Sequence, residues 1–135
     1  MRVRDGEPDD ASWLASVDKH IPSSEVERCI AAGAYLVDSH RRGFLRYAMF
    51  WREIPYMELI WVGEPHRGRG IGHALRTRWE HEMRERGATL LLTSAMADEP
   101  EPQRWHEAGG YVRCGGLDLG RWQSVAEVFF RKQLD

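Results

Sequence analysis

Apolar residues along this 135-residue chain recur at two different spacings. Short apolar runs bounded by turn-forming residues are typical of strands, whereas apolar positions three or four residues apart indicate amphipathic helices. The two spacings alternate along the chain, which is the pattern of a mixed α/β domain. The predicted strands cover residues 2–4, 34–37, 44–51, 56–62, 89–93, 111–114 and 125–133.

Four helices are predicted between these strands. Pro8 suits the first turn of one helix, and Pro102 suits the first turn of a short helix that ends at Ala108. Residues 24–27, Ser-Glu-Val-Glu, have the pattern of a capping box, which predicts that a second helix begins there. The longest helix is predicted from Ile71 to Arg86, because its apolar residues repeat every four positions at Ile71, Leu75, Trp79 and Met83.

The longest helix lies between the predicted strands 56–62 and 89–93. Gly87 ends this helix, since glycine adopts the left-handed conformation that closes many helices. A strand, a helix and a second strand in this order imply two parallel strands joined by a right-handed crossover. We therefore expect a single domain over residues 1–135.

A glycine-rich turn joins the apolar run Leu59-Ile60-Trp61-Val62 to this helix, with the sequence Arg67-Gly68-Arg69-Gly70-Ile71-Gly72. The first N–H groups of a helix have no intrahelical partner, and the helix dipole attracts anions, so this turn predicts a phosphate-binding site. The turn lacks the Gly-Lys-Ser/Thr ending of a P-loop. Its G-x-G-x-G spacing also differs from the G-x-G-x-x-G of dinucleotide-binding folds.

Composition narrows the classes of protein further. A formal net charge of −2 gives no global basic field, so no nucleic-acid partner is expected. No apolar run approaches the roughly 20 residues that span a bilayer, and the N-terminus does not resemble a signal peptide, so we expect no membrane partner and a cytoplasmic protein. Two cysteines are too few for a disulfide scaffold, and no metal-ligand motif is present, so no metal is expected.

Three segments, in this order, resemble the GNAT N-acetyltransferase superfamily. They are the strand and glycine turn of residues 59–72, the helix and strand of residues 79–94, and the segment Gln103-Arg104-Trp105-His106-Glu107-Ala108-Gly109-Gly110-Tyr111. The resemblance implies the GNAT fold, which is a single-domain α/β architecture. Its mixed, mostly antiparallel twisted sheet has about seven strands, with helices on both faces.

The resemblance also implies acetyl-CoA as the cofactor. The main chain of residues 60–62 is expected to pair with the pantetheine arm, and its N–H groups are expected to stabilise the oxyanion of the tetrahedral intermediate. Backbone N–H groups from Gly68 to His73 are expected to hold the pyrophosphate. The predicted cofactor-binding residues are Ile60, Trp61, Val62, Arg67, Gly68, Arg69, Gly70, Ile71, Gly72 and His73.

His106 occupies the position at which the family commonly has a tyrosine that protonates the leaving thiolate. An imidazole can donate a proton, but with an ordinary pKa near 6.5 it is only partly protonated at neutral pH. His106 is therefore predicted either as the catalytic acid or as a histidine that packs beside the cofactor.

Glu58 is the predicted catalytic base. It shares strand parity with Ile60 and Val62, so its side chain is expected on the same side as the acetyl-binding edge. Glu127 and Glu99 are alternatives for this role, or for recognising a cationic acceptor. The predicted substrate-binding residues are Trp51, Tyr56 and Glu127, since aromatic faces with acidic groups suit a small amine.

The resemblance implies direct attack by a primary amine of a small molecule on the thioester, in a ternary complex. One alternative is an N-acetyltransferase that acts on a protein or peptide. A second alternative is an acyl-CoA sensor without activity, which the absence of tyrosine at position 106 favours. Members of the superfamily are often dimers, so a homodimer is a further expectation.

Overall fold

A computed structural model describes residues 2–135 as one seven-stranded sheet with four helices. The strands lie in the order β1-β2-β3-β4-β5-β7-β6; β4 and β5 are parallel, and β1–β2, β2–β3, β5–β7 and β7–β6 are antiparallel. The predicted mixed, mostly antiparallel sheet is confirmed. The strands are β1 (Val3–Asp5), β2 (Tyr35–Asp38), β3 (Gly43–Phe50), β4 (Ile54–Val62), β5 (Leu90–Met96), β6 (Val112–Leu117) and β7 (Glu127–Gln133).

The helices are α1 (Ala11–Val17), α2 (Ser23–Ala31), α3 (Ile71–Glu85) and α4 (Pro100–Ala108), with 3₁₀ turns at Pro8–Asp10 and Glu64–His66. The predicted stripe of α3 is confirmed, because Ile71, Leu75, Trp79 and Met83 are all buried. None of the helices within residues 2–135 has the length and apolar character needed to cross a membrane.

Backbone contacts divide the chain into two compact units. The first unit runs up to Tyr47 and continues from Leu59 to Glu82. Its core is an aromatic and aliphatic cluster around β2 and β3, in which Phe44 contacts the rings of Tyr35 and Trp61 with centroids 5.7 Å apart. The strands of this core are held in register by pairs such as Leu36 with Leu45.

Three buried carboxylates of the first unit are each held by arginine. Asp10 accepts from Arg4 at 2.7 Å, and that bond is the main reason why the pKa of Asp10 falls to about 2. Burial alone would raise the pKa of Asp38, but hydrogen bonds from Arg42 outweigh burial and hold it below its ordinary value. The third carboxylate, Asp18, accepts from Arg46 at 2.7 Å and from the Tyr35 hydroxyl at 2.6 Å.

The second unit comprises Ala48–Glu58 and Met83–Asp135. β7 pairs along its whole length with β5, from Met96–Glu127 to Leu90–Gln133. Buried and half-buried residues alternate along β5, with Leu91, Thr93 and Ala95 buried, as expected when one face of a strand packs on the core. This register places Ser94 opposite Phe129.

Several predicted element starts are wrong. β4 begins at Ile54 rather than at residue 56, and α4 begins at Pro100 rather than at Pro102. α2 begins at Ser23 with Pro22 as its N-cap and no capping side chain, because the Pro22 carbonyl already accepts the N–H groups of Glu25 and Val26. β7 begins at Glu127 rather than at residue 125, since the preceding segment turns at Gly120 and the Gln123 side chain bonds to the Val125 carbonyl.

Candidate functional site

The glycine turn lies in the first unit, between β4 and α3. Gly68 and Gly70 adopt φ of 76° and 82°, a left-handed conformation that favours glycine. A Cβ atom built at either glycine meets no atom within 4 Å, so open space adjoins the backbone there. Ala74 donates to the Gly70 carbonyl at 3.0 Å as a bond at the start of α3, which leaves the preceding N–H groups outside the helical pattern.

The basic side chains of the turn differ in whether they are bonded to the protein or exposed to solvent. The Arg67 Nε donates to the Val62 carbonyl at 2.9 Å, which ties this guanidinium back to the end of β4. Arg69 and His73 are exposed, whereas Ile71 is buried and Gly72 is half-buried. The turn therefore combines open glycine backbone with exposed positive charge, which is the chemistry that a pyrophosphate requires.

Trp61 packs its side chain into the core of the first unit, with its ring 6.3 Å from that of Trp13. Side chains alternate along a strand, so Ile60 and Val62 face the opposite side from Trp61, and both are half-buried. Of the three predicted pantetheine-binding residues, Trp61 thus has only its main chain available for a ligand.

Gly43, at the start of β3, is a positioning residue that the sequence analysis missed. A Cβ atom at this position would lie 2.6 Å from the Trp61 carbonyl oxygen and 3.3 Å from the Ile71 side chain. No side chain fits at such distances, so glycine is what allows β3 to approach both the end of β4 and the start of α3. A glycine before a strand has no distinguishing signal, since many turns contain one.

In the second unit, a line of hydrogen bonds joins Tyr56, Ser94 and Glu127. The Tyr56 hydroxyl lies 2.6 Å from Ser94 Oγ, and Ser94 Oγ donates to Glu127 Oε2 at 2.6 Å. Gln123 Nε2 donates to the other carboxylate oxygen at 2.9 Å, and the Tyr56 ring stacks on Phe129. These contacts fix the rotamers of all four polar side chains, which we call the Glu127 cluster: Tyr56, Ser94, Gln123 and Glu127.

The directions of these hydrogen bonds follow from the number of protons. An ionised carboxylate only accepts, so Ser94 donates its single proton to Glu127. Ser94 then has only lone pairs left for Tyr56, so Tyr56 donates its own proton to Ser94. Both hydroxyl protons are therefore used inside the cluster, and the Glu127 carboxylate can only accept hydrogen bonds from a ligand.

Among the residues that the structure describes, no cation neutralises the Glu127 carboxylate. Throughout the described residues, 2–135, its partners are the uncharged side chains of Ser94 and Gln123. Glu127 is half-buried, so its charge is less screened than that of a fully exposed side chain. An oriented carboxylate of this kind attracts a ligand that is positively charged and carries several N–H donors.

His106 lies on α4 and is 4% exposed. Its ring is packed among three aromatic side chains, with centroids 5.6 Å from Trp105, 6.1 Å from Tyr111 and 5.7 Å from Phe130. The His106 carbonyl also accepts the N–H of Tyr111 at 3.1 Å and closes the end of the helix. This is the environment that the packing alternative for His106 requires, and the catalytic alternative stays a prediction.

The remaining predicted residues are exposed and lie outside the Glu127 cluster. Glu58 is an exposed residue of β4, and Glu99 is exposed just before α4. Trp51 is 80% exposed in the turn between β3 and β4, where its ring contacts Phe50. The structure thus brings together two of the three predicted substrate-binding residues, Tyr56 and Glu127, and adds Ser94 and Gln123.

Within residues 2–135 no group of His, Cys, Asp and Glu side chains is arranged to hold a metal ion.

The comparison with family models identifies the class of protein. Residues 4–111 match the acetyltransferase (GNAT) family model, which covers most of the chain. The chain therefore belongs to the GNAT family, and it is an acetyltransferase that uses acetyl-CoA. No curated protein matches its sequence.

Solved structures share the fold at low sequence identity. Ard1 from Thermoplasma volcanium superposes with a TM-score of 0.85 at 17% identity, over 99% of this chain and 97% of that chain. The ribosomal-protein-alanine N-acetyltransferase from Brucella melitensis gives 0.83 at 20% identity, over 99% and 100%. The yncA protein from Salmonella typhimurium, solved with its cofactor acetyl-CoA, gives 0.81 at 18% identity, over 100% and 94%.

Proposed function

We propose that the protein transfers the acetyl group of acetyl-CoA to the primary amine of a small molecule by direct attack in a ternary complex. The observation that carries this proposal is the Glu127 cluster. Its acceptor-only lone pairs and its un-neutralised carboxylate complement an ammonium group, which has three donors and no acceptor. Each Glu127 oxygen accepts one hydrogen bond within the protein and keeps a second lone pair for an incoming ammonium group.

The glycine turn fits the pyrophosphate of the cofactor. In the proposal, N–H groups from Gly68 to His73 bind the phosphate oxygens in the open space beside Gly68 and Gly70. The main chain of residues 60–62 pairs with the pantetheine arm. When bound, acetyl-CoA supplies an acetyl group activated as a thioester.

Tyr56 and Glu127 hold the ammonium form of the acceptor in this proposal. The nitrogen must lose a proton before its lone pair can attack, and Glu58 is the proposed carboxylate that takes this proton, directly or through water. His106 is proposed either to return a proton to the leaving thiolate or to pack the helix end. The pH dependence of kcat separates these two roles when His106 is replaced by an aromatic ring of similar size. If His106 only packs, the variant and the wild type should have the same pH profile.

A panel of acceptors tests the function, with release of the CoA thiol as the measurement. Small primary amines, amino sugars and amino acids are compared with peptides that have a free N-terminus. We expect turnover with small amines, and a fall of about 100-fold in kcat/KM for Glu127→Gln, equivalent to about 2.7 kcal/mol. Glu101→Gln, which changes an exposed carboxylate of α4, is the matched control and should keep the wild-type rate.

Other results of the same panel point to other functions. Turnover with peptides alone would make the protein a peptide N-acetyltransferase. Acetyl-CoA binding without turnover of any amine would make it a sensor.

Binding of the cofactor is measured separately, by thermal unfolding with acetyl-CoA. Gly70→Glu places bulk and negative charge at the pyrophosphate, so we expect it to abolish the shift that the wild type shows. An unchanged shift in this variant would overturn the role of the glycine turn.

Two coarser expectations complete the proposal. Cys29 and Cys114 are free thiols, which suits the reducing cytoplasm. A homodimer is proposed because members of the family are often dimers, and analytical ultracentrifugation would measure the oligomeric state directly.

A further inference from the structure

A cavity of about 440 Å³ lies in the second unit between two chain segments. One wall is the hairpin that joins β3 to β4, and the other is the end of α3 with the start of β5. We call it the hairpin cavity. Its volume lies in the range of small-molecule sites, and neither Tyr56, Ser94 nor Glu127 lines it.

The hairpin beside this cavity has a strained turn. Trp51 and Arg52 adopt φ of 53° and 64°, and the Glu53 N–H bonds to the Phe50 carbonyl at 3.1 Å. Two consecutive residues with positive φ inside a turn closed by this hydrogen bond have the pattern of a type I′ turn, which strongly prefers Asn-Gly. Trp-Arg at these positions costs conformational free energy, and such strain persists where side chains have a function.

The lining of the hairpin cavity combines an apolar floor with positive charge. Met49, Ile54, Pro55, Met83 and Leu90 contribute apolar surface. Arg52 and Arg86 contribute two guanidinium groups, against the single carboxylate of Glu53. In the part of the chain that the structure describes, no hydrogen bond, ion pair or ring contact engages the Arg52 guanidinium.

We propose that the hairpin cavity binds a small molecule with an apolar body and one carboxylate. The apolar body lies against Met49 and Ile54, with the buried Met83 in the cavity wall, and the carboxylate pairs with Arg52, which has the planar fork of donors that carboxylates prefer. This inference goes beyond the proposed acetyl transfer, since it concerns a second ligand and a different set of residues. The unfavourable backbone conformation of Arg52 then places its guanidinium beside the hairpin cavity.

Methionine methyl groups provide the test. The protein labelled with ¹³C at its methionine methyls is titrated with 3-phenylpropionate at neutral pH, and 3-phenylpropionamide is the uncharged control. We expect saturable shifts of the Met49 and Met83 resonances with the acid, while Met57 and Met96 stay in place. The absence of shifts at Met49 and Met83 up to millimolar acid, or equal shifts with the amide, would overturn the proposal.

Variants test the two halves of the site. Arg52→Gln is expected to weaken binding of the acid at least tenfold, whereas the exposed Arg121→Gln, which does not line the cavity, should bind as the wild type does. Ala88→Leu should block the cavity and remove the shifts. Equal affinity in Arg52→Gln and Arg121→Gln contradicts the role of Arg52.

A replacement turn separates function from folding. Trp51→Asn with Arg52→Gly installs the residues that a type I′ turn prefers, so the melting temperature should rise by about 2–5 °C while binding of the acid is lost. A fall in melting temperature would show that Trp51 and Arg52 serve the fold, and it would remove the strain argument. These measurements are of binding and stability, so they are independent of whether an amine acceptor is found.

Discussion

The carboxylates of the two units of this protein have different hydrogen-bond partners. In the first unit, Asp10, Asp18 and Asp38 are buried, and an arginine neutralises each of them at 2.7 or 2.8 Å. In the second unit, Glu127 is half-buried and is held by serine and glutamine, which have no charge to offer. The arginine pairs use the carboxylate to join elements of the fold, whereas the neutral donors orient a carboxylate and leave its charge for a ligand.

This difference offers a way to tell structural acids from functional ones. A buried ion pair that loses one partner leaves the other charge uncompensated, so its removal is costly to folding. A carboxylate held by neutral donors leaves no such charge behind. Substitution should therefore affect stability in the first unit and catalysis in the second.

The largest effect is expected for Asp18→Asn. The variant removes the carboxylate charge that pairs with the Arg46 guanidinium, which is 5% exposed, so the free energy of unfolding should fall by about 3–5 kcal/mol. Urea denaturation measures this change. Glu25→Gln, in the exposed pair with Arg28, is the control and should cost less than about 1 kcal/mol. Similar losses in both variants would remove the distinction between buried and exposed pairs.

Acid should weaken the first unit through Asp10. Its pKa is about 2 in the folded protein against an ordinary value of 3.8, so the depressed pKa contributes about 2 kcal/mol of stability above pH 4. That contribution is lost as the pH falls through 2, because protonation breaks the bond with Arg4. Urea denaturation should show that the difference between wild type and Asp10→Asn shrinks over this interval. A difference that stays constant from pH 7 to pH 2 would contradict the pairing.

Ser94→Ala interrupts the line of hydrogen bonds between Tyr56 and Glu127. Tyr56 then loses the acceptor of its proton, and Glu127 loses one of the two donors that orient its carboxylate. We expect kcat/KM for the amine to fall about tenfold, near 1.4 kcal/mol, with partial recovery in Ser94→Thr because threonine keeps the hydroxyl. Steady-state kinetics measure this, and equal rates in all three proteins would exclude Ser94 from the site.

The smallest effect is expected for the stability of Glu127→Gln. Glutamine can still accept from Ser94 and leaves no buried charge unpaired, so the free energy of unfolding should change by less than about 1 kcal/mol. Chemical denaturation alongside Asp18→Asn makes the contrast direct. A loss as large as that of Asp18→Asn would place Glu127 among the structural acids.

The parts of the molecule that the sequence predicts well are local. The glycine turn and α3 depend on residues close together in the chain, where the periodicity of Ile71, Leu75, Trp79 and Met83 is visible directly. The parallel pair β4–β5 follows from the order of elements around this helix. Boundaries such as the start of α2 were wrong by one residue, because Pro22 competed with the predicted serine cap.

The Glu127 cluster could be predicted only in part, since its members come from three strands and a loop. Tyr56 and Glu127 stood out by residue type, but their distance depends on the registers of Tyr56 with Leu92 and of Met96 with Glu127. Ser94 has no sequence signal of its own. It joins the other two residues because pairing of β5 with both neighbours brings it onto the same face.

Gly43 is 18 residues away in sequence from Trp61, yet the two are close in the fold. A Cβ atom at Gly43 would lie 2.6 Å from the Trp61 carbonyl oxygen, so the absence of a side chain is what lets β3 come this near. In a deep mutational scan read separately for protein abundance and for acetyl transfer, this position should therefore accept glycine and little else. In the transfer readout alone its profile would resemble that of a ligand-contacting residue, although the glycine itself offers a ligand no side chain. A map of function drawn from transfer alone would place Gly43 inside the active site, whereas the loss of abundance would assign it to the supporting structure.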